Sequence, residues 1–576
     1  MEVRREETNC KAGILSEDTY DFITDFTLGE FAGPGEEYCY ANIDNLYNIV
    51  YIEKNRVPGR RAGVFEYQSV PKLYTLSPIQ GAGGENGFQP DALIVSDILQ
   101  AQRPPLQLTG RGCVICFIDT GIDYTMDVFR TADGRSRILA IWDQTIQTGI
   151  PPEGFAYGTE YNRDEIDRAL RSANPYEIVP SRDTNGHGTK IASVAAGSSI
   201  SGARAFVGAA PEADIVVVKL KESKQYLRQL FLVAEGASAY QENDIMLGVQ
   251  YADRFARVLN RPVILCIGLS SNMGDHAGSS ALARYLNQIA VRRSRGVVVC
   301  GGDEGNMAHH YRGRMEPGAD GKQSVEVRVG ENCSGFLLEC WSSLPDTHLL
   351  GVRSPGGEFI PPLRVGTGQT VRYELIYEDS VVTLGATLVE PASGEQLMQV
   401  WIETPTPGIW SFEVSTQGEV YNGIFDMWLP ITEFLNAPVY FLNPDPFITL
   451  TDPSMASEVI TVSSYNAGNA SFSINSGRGY SRTGIVRPDI AAPGGNVSTI
   501  DGLQNGSALA AAITAGAMAQ LLQWAVVERK NLYAESRELK SYLIRGASRE
   551  EDLGYPNRTW GYGRLSVTGV FERMRT

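Results

Sequence analysis

Histidine is scarce in this chain, five among 576 residues, so any imidazole chemistry must come from very few positions. Positive charge is also short: 50 Lys and Arg stand against 67 Asp and Glu, giving a formal net charge of −17. That balance argues against non-specific binding to nucleic acid or an anionic membrane, whose phosphates would repel the surface. A solvated acidic surface is the plain reading. No run of 18 or more apolar residues occurs, so no membrane-spanning segment is expected. The opening residues, MEVRREETNCKAG, lack the apolar core of a secretory signal. Metal-ligand spacings are missing, and GGDEG at 301–305 lacks the Lys-Ser/Thr of a phosphate-binding loop; no metal or cofactor is expected. The eight cysteines are scattered, and Cys113, Cys116, Cys266 and Cys300 lie inside apolar runs where thiols behave as small hydrophobes. They read as reduced cysteines of a protein made inside a cell, not as a disulfide framework.

What is present suffices for two to four domains. Hydrophobic residues make up 43% and charged residues 20%, the proportions of an ordinary soluble globular protein. Residues 1–80 are mixed, with aromatic-rich pieces such as YDFITDF, and end in the extended run VFEYQSVPKLYTLSPIQ. GAGGENG at 81–87 reads as a flexible joint within a linker spanning 81–99. From 100 to 311, continuous apolar runs (CVICFID, IVVVKL, PVILCIGL, GVVVC) alternate with helical patterns. Strands covered on both faces and separated by helices predict an α/β fold with a parallel sheet. Between 312 and 447 the runs become short and alternating with Gly/Pro/Asn turns, the pattern of an antiparallel sandwich inserted into the core. The α/β pattern returns over 448–576.

Three segments carry chemistry. In FIDTGIDY, Asp119 ends an apolar strand, and catalytic groups of open α/β sheets gather beyond the carboxyl ends of strands; an Asp there is often only a turn residue. In DTNGHGTKIASVAAG, His187 lies between two glycines at a helix start, which leaves the imidazole accessible but also suits a simple helix-cap residue. In NGSALAAAITAGAMAQLLQW, a polar turn leads into a helix of small residues. Such a helix can lie deep in a core and turn its unpaired N–H groups toward a developing oxyanion.

Together the three resemble the signatures of the subtilisin-like serine proteases, in the order Asp, His, nucleophile; VVVCGGDEGN resembles that family's strand and oxyanion loop. The pieces VFEYQSVPKLY, SSNMGDHAGSS, DEGNMAHHY and WGYGRLSV resemble the clostridial Csp germination proteases and their pseudoprotease relatives. The resemblance implies a subtilisin-like parallel-sheet core, an N-terminal α+β prodomain and an inserted jelly roll. It also implies a prodomain that chaperones and inhibits, and a cytoplasmic or spore-associated location in a Gram-positive bacterium. Gly268, Leu269 and Ser270 would wall the substrate cleft and pair with an extended peptide, Gly268 leaving room for a sizeable side chain in the first pocket. Self-cleavage is expected near Gln80–Gly81, with Ser96 a further candidate.

Two positions depart from the family. Ala508 stands where the nucleophilic serine belongs. Ser507, one step along the helix start and so turned about 100°, should point away from His187. Asp303 replaces the asparagine that donates to the oxyanion. In subtilisin the loss of the serine costs about 10⁶ in turnover and loss of the asparagine donor about 10²–10³, so the chain is expected to be inactive. Two histories fit: an alanine put into a working endopeptidase, the reading taken here, and a natural pseudoprotease that binds a partner in germination. A purely structural spore component is a third class. Restored by Ala508→Ser, the serine would attack a peptide carbonyl while His187 takes its proton and Asp119 orients the imidazole.

Overall fold

The computed structural model describes residues 10–25, 39–56, 66–82, 91–201, 206–316, 321–363 and 369–575; of the expected joint at 81–87, residues 83–87 lie outside them. The apolar runs form an eight-stranded sheet. Its order is Ile490–Gly495, Ile460–Asn466, Arg295–Cys300, Val263–Ile267, Val114–Asp119, Asp214–Lys219, Ile138–Asp143, Thr159–Asn162. All neighbours are parallel except the last pair. Because alternate strand residues face opposite sides, Ile115 and Phe117 pack into one core layer while Val114, Cys116 and Ile118 pack into the other. The first layer holds helices His187–Ala196 and Ser507–Leu522, the second Glu242–Leu259 and Ala281–Ala290.

The helix Ser507–Leu522 is buried along its whole length. Its small residues permit this: a Cβ on Gly516 would come within 2.3 Å of Ala209 Cβ. Continued to Val527 it is long and apolar enough to cross a membrane by composition, although it holds no unbroken apolar run of 18 residues, but most of it is buried inside the protein. Its place is the core.

The inserted region forms two antiparallel sheets, six-stranded and five-stranded, whose strands run from His310–Arg314 to Val439–Phe441. The inward-pointing residues of Gln323–Val329 (Val325, Val327, Val329) meet Phe336, Leu338, Trp410 and Phe412 in a core of their own. Trp401 ties this unit to the α/β core, its Nε1 donating to the Leu230 carbonyl at 2.9 Å.

At the N-terminal end, Thr19–Thr24, Tyr47–Glu53 and Cys39–Ile43 make a three-stranded antiparallel sheet beside the short helix Lys11–Leu15. Ile14, Ile23, Ile43 and Ile49 join the core layer of helix Glu242–Leu259. At that junction buried Asp21 accepts from Lys224 Nζ (2.5 Å), Gln241 Nε2 (2.7 Å) and Asn243 Nδ2 (3.2 Å). Burial raises the Asp21 pKa and lowers that of Lys224, in each case against the pull of the partner.

The cysteine expectation needs one correction. Cys10 and Cys39 are joined as a disulfide, and the other six are free and buried. Packing of the helix Lys11–Leu15, which Cys10 precedes, beside the strand Cys39–Ile43 brings the two residues, 29 apart in sequence, to a Cα separation of 5.3 Å, well inside bonding reach. Scatter along the sequence did not reveal that proximity.

Candidate active site

Asp119 ends the central strand Val114–Asp119, and His187 opens the helix His187–Ala196. Gly186, at φ 84°, makes the turn into that helix. The two side chains meet: His187 Nδ1 is 2.8 Å from Asp119 Oδ1 and 3.0 Å from Oδ2, with both residues buried. A Cβ on Gly188 would lie 2.2 Å from the Gly121 carbonyl and 3.2 Å from Asp119 Oδ1, so only glycine lets the helix start this close to the aspartate.

Asp183 fixes the loop before the helix. It accepts from the Gly186 N–H (2.7 Å), the Thr120 hydroxyl (2.9 Å), and the Thr189 N–H and hydroxyl (2.9 and 2.7 Å). Its signal in the sequence was its place in DTNGHGT, four residues before the histidine, and it went unread.

Ala508 is the second residue of helix Ser507–Leu522 and faces the same point. A Cβ on Gly268 would stand 3.2 Å from His187 Cε1, 3.3 Å from Ala508 Cβ and 3.6 Å from Asp119 Oδ2. Asp119, His187 and Ala508 therefore converge, and Gly268 is the gap that lets them. It does not open the first pocket, as the sequence reading had it.

Asp303 follows the strand Arg295–Cys300 and grips the start of the same helix. It accepts the Ser507 hydroxyl at 2.6 Å and lies 3.2 and 3.3 Å from the Ser507 N–H. Ser507 thus faces Asp303. Burial pushes the Asp303 carboxyl up to about 6, against the lowering effect of Ser507's hydrogen bonds.

The cleft is occupied by the chain itself. Leu73–Leu76 lies as an antiparallel strand between Tyr240–Gln241 and Leu269–Ser270, with Tyr74 opposite Tyr240, Thr75 opposite Ser270 and Leu76 opposite Leu269. The Ser77 N–H donates to the Gly268 carbonyl at 2.9 Å. Beyond it, Gln80–Gly81 pairs with the hairpin strand Gly502–Asn505. Leu269 and Ser270 thus line the cleft; its other rim, Tyr240–Gln241, is two residues long and carried no motif that sequence reading could find.

The carbonyl brought to the histidine is that of Ser77, accepting from His187 Nε2 at 2.9 Å. The Gln80–Gly81 bond, where the sequence reading set the cut, lies three residues further on against the hairpin. Ser77 Oγ sits 2.5 Å from Ser270 Oγ and 3.0 Å from Cys300 Sγ, and Thr451 Oγ1 donates to Ser270 at 3.0 Å. The space around this side chain is small and polar, not the roomy pocket expected.

Each nitrogen of His187 therefore faces an acceptor, carboxylate on one side and carbonyl on the other. A neutral imidazole has one N–H and can satisfy only one of them; the imidazolium satisfies both. The pKa shift agrees in direction. Burial alone would lower it, but the charge and hydrogen bond of Asp119, with the Ser77 carbonyl, outweigh burial and the net shift is upward. Among the described residues no group of three or more His, Cys, Asp or Glu is arranged to hold a metal ion.

The sequence profile of the subtilase family matches residues 110–330 and 444–563, more than half of the chain, and leaves the inserted β-region between them. Among solved structures, the CspB protease of Clostridium perfringens is similar over 84% of this chain and 99% of its own, at 28% identity and a TM-score of 0.74. Fervidolysin of Fervidobacterium pennivorans, a keratinolytic enzyme related to subtilisin, is 11% identical over 96% of this chain and 61% of its own, with a TM-score of 0.46. MycP1 of Mycobacterium smegmatis is 14% identical over 89% and 94%, with a TM-score of 0.37. No curated protein sequence matches.

Proposed function

Since this chain belongs to the subtilase family of serine proteases, we propose that it is a subtilase turned from cutting to binding, which holds residues 73–81 in its substrate cleft and leaves them whole. One observation carries the reading. His187 is bracketed by the Asp119 carboxylate and the Ser77 carbonyl, so both ring nitrogens of the group that should accept a proton face acceptors, an arrangement that favours the protonated ring. Two others support it. Ala508 offers no hydroxyl, and the Asp303 carboxylate stands where an oxyanion would need a donor. Pro78 follows Ser77, so the bond nearest His187 joins a carbonyl to a ring nitrogen.

Under this reading the prodomain is a resident ligand. The antiparallel pairing of Leu73–Leu76 on both sides uses backbone hydrogen bonds for affinity, and the pockets under Tyr74 and Ser77 select side chains. The setting we propose is the one implied by the resemblance to Csp proteins: a cytoplasmic or spore-associated partner in a germination complex, recognised through another protein's extended segment or through the inserted β-unit.

Mass spectrometry of the purified chain tests it. A single intact species after long incubation is expected, and fragments split between 77 and 81 would overturn it. The second reading, a working endopeptidase with Ala508 introduced, draws on the intact Asp119–His187 pair. It predicts fast self-cleavage once Ala508→Ser is made.

A further inference from the structure

After the last strand of the β-unit, Val439–Phe441, the chain re-enters the α/β core, and residues 448–452 of this return segment reach the cleft. The Asp452 and Ser271 backbones pair there, their N–H groups donating to each other's carbonyls at 2.8 and 3.0 Å, and the Thr451 N–H donates to the Gly301 carbonyl at 3.2 Å. The segment thus continues the cleft wall at the end of Leu269–Ser270. On the β-unit side Trp428 braces it: its Nε1 donates to the Ile448 carbonyl at 3.2 Å, and its ring stacks on His276 at 4.1 Å.

Asp452, on that segment, is buried and faces the strand held in the cleft. The Tyr74 hydroxyl, itself wholly buried, donates to Asp452 Oδ2 at 2.5 Å. The Ser280 hydroxyl donates to the same oxygen at 2.8 Å, while its own oxygen caps the helix Ala281–Ala290 by accepting the Ala283 N–H at 3.1 Å. A helix cap on one side and backbone pairing on the other therefore fix the carboxyl group independently of the strand. Burial pushes it up to about 7, against the lowering effect of the Tyr74 and Ser280 hydroxyls. A phenylalanine ring would fill the same space but leave the buried acid one donor short. A site built to bond a hydroxyl rejects the analogue that lacks it far more strongly than an apolar pocket rejects a change of size.

We propose that Asp452 makes the cleft selective for a phenol hydroxyl, so that the segment it holds, its own or a partner's, carries tyrosine three residues before the carbonyl that faces His187. The proposal rests on the reading of residues 73–81 as a held ligand and adds the chemistry that such a ligand needs. Backbone pairing along the cleft accepts almost any side chains; the carboxyl group supplies the choice. Ser77 sets the register that brings tyrosine over it, since its hydroxyl meets Ser270, which in turn accepts from Thr451 on the return segment. Both contacts come from the chain leaving the β-unit, which gives the insert a direct part in what the cleft accepts.

Amide exchange of residues 73–77 in the full chain measures how tightly the strand is held. Protection is expected in the native chain, and Tyr74→Phe should lower it about tenfold or more. With Asp452→Leu the preference should reverse: phenylalanine at 74 should be held at least as tightly as tyrosine, whose hydroxyl then lacks its acceptor. A merely structural role for Asp452 would weaken both alike and leave tyrosine ahead. Equal protection of native and Tyr74→Phe chains overturns the proposal. So does tyrosine still favoured about tenfold once residue 452 is leucine. Free exchange of residues 73–77 in the native chain would instead overturn the held-ligand reading, and the selectivity with it. Tyr74→Phe removes a single oxygen, and its comparison stands whether or not Asp452→Leu folds.

Discussion

If a serine were restored at 508, the rate at which the chain cuts itself should be set by Asp303. In subtilisin, loss of the serine costs about 2 × 10⁶ in turnover and loss of the side-chain oxyanion donor about 10²–10³, or 2.7–4 kcal/mol. Ala508→Ser regains the first factor but leaves the second, because the buried Asp303 carboxylate repels the developing charge. The double change Ala508→Ser/Asp303→Asn should therefore cut about 10²–10³ times faster than Ala508→Ser alone. The bond cut should be Ser77–Pro78, the one against His187. The pH profiles should differ as well. With Asp303 present, the donor needs its proton and so a pH below about 6, whereas His187 must lose a proton whose pKa is raised. Those demands oppose each other, and the single variant should be slow at every pH with a shallow maximum. The double variant should speed up as pH rises through the His187 pKa and then level off. The assay is intact mass against time from pH 5 to 9. Asp303→Asn alone offers a check without catalysis. A carboxyl raised from 3.8 to about 6 on folding weakens the fold progressively between those values and by a constant amount above them. That amount is about 3 kcal/mol as an upper figure, and Asn should recover part of it at pH 7. Equal cutting by the single and double variants would refute the role given to Asp303. No cutting by either would refute the placing of Ser77 in reach of attack.

The remaining expectations concern the strand in the cleft and its supports. The raised pKa of His187 means that its cationic form stabilises the fold and the docked strand fully below about 6.5, its unfolded value, and that this is lost as pH rises through the folded value. Amide exchange of residues 73–77, corrected for intrinsic rates, should speed up across that window, and His187→Gln should abolish the dependence. Asp21→Ala would leave Lys224 buried without its anion and should destabilise the prodomain docking by about 3–5 kcal/mol; urea melts followed by prodomain proteolysis would show it, and an unchanged midpoint would count against the junction. Gly268→Ala puts a methyl 3.2 Å from His187 Cε1 and 3.3 Å from Ala508 Cβ, so about 1–3 kcal/mol of overpacking should lower the melting temperature. Alkylation of the unfolded, unreduced chain should label six cysteines, and labelling of all eight would refute the Cys10–Cys39 bond.

The parts of the site that force unusual backbone or packing left marks in the sequence. Asp119 is read from a wholly apolar strand that ends in a charge, and His187 from glycines that a helix start this close to Asp119 requires. Ala508 is read from a run of small residues that only a deeply buried helix needs. The α/β core and the inserted sandwich were legible for the same reason, since continuous and alternating apolar patterns follow from burial on two faces or one. Tertiary structure decided the rest. The register that brings the Ser77 carbonyl, rather than the Gln80–Gly81 bond, to His187 rests on backbone pairing with Tyr240–Gln241 and Leu269–Ser270, and backbone hydrogen bonds accept almost any side chains. Whether Gly268 widens a pocket or spaces a triad depends on which atoms face it, and whether Cys10 finds Cys39 depends on distance.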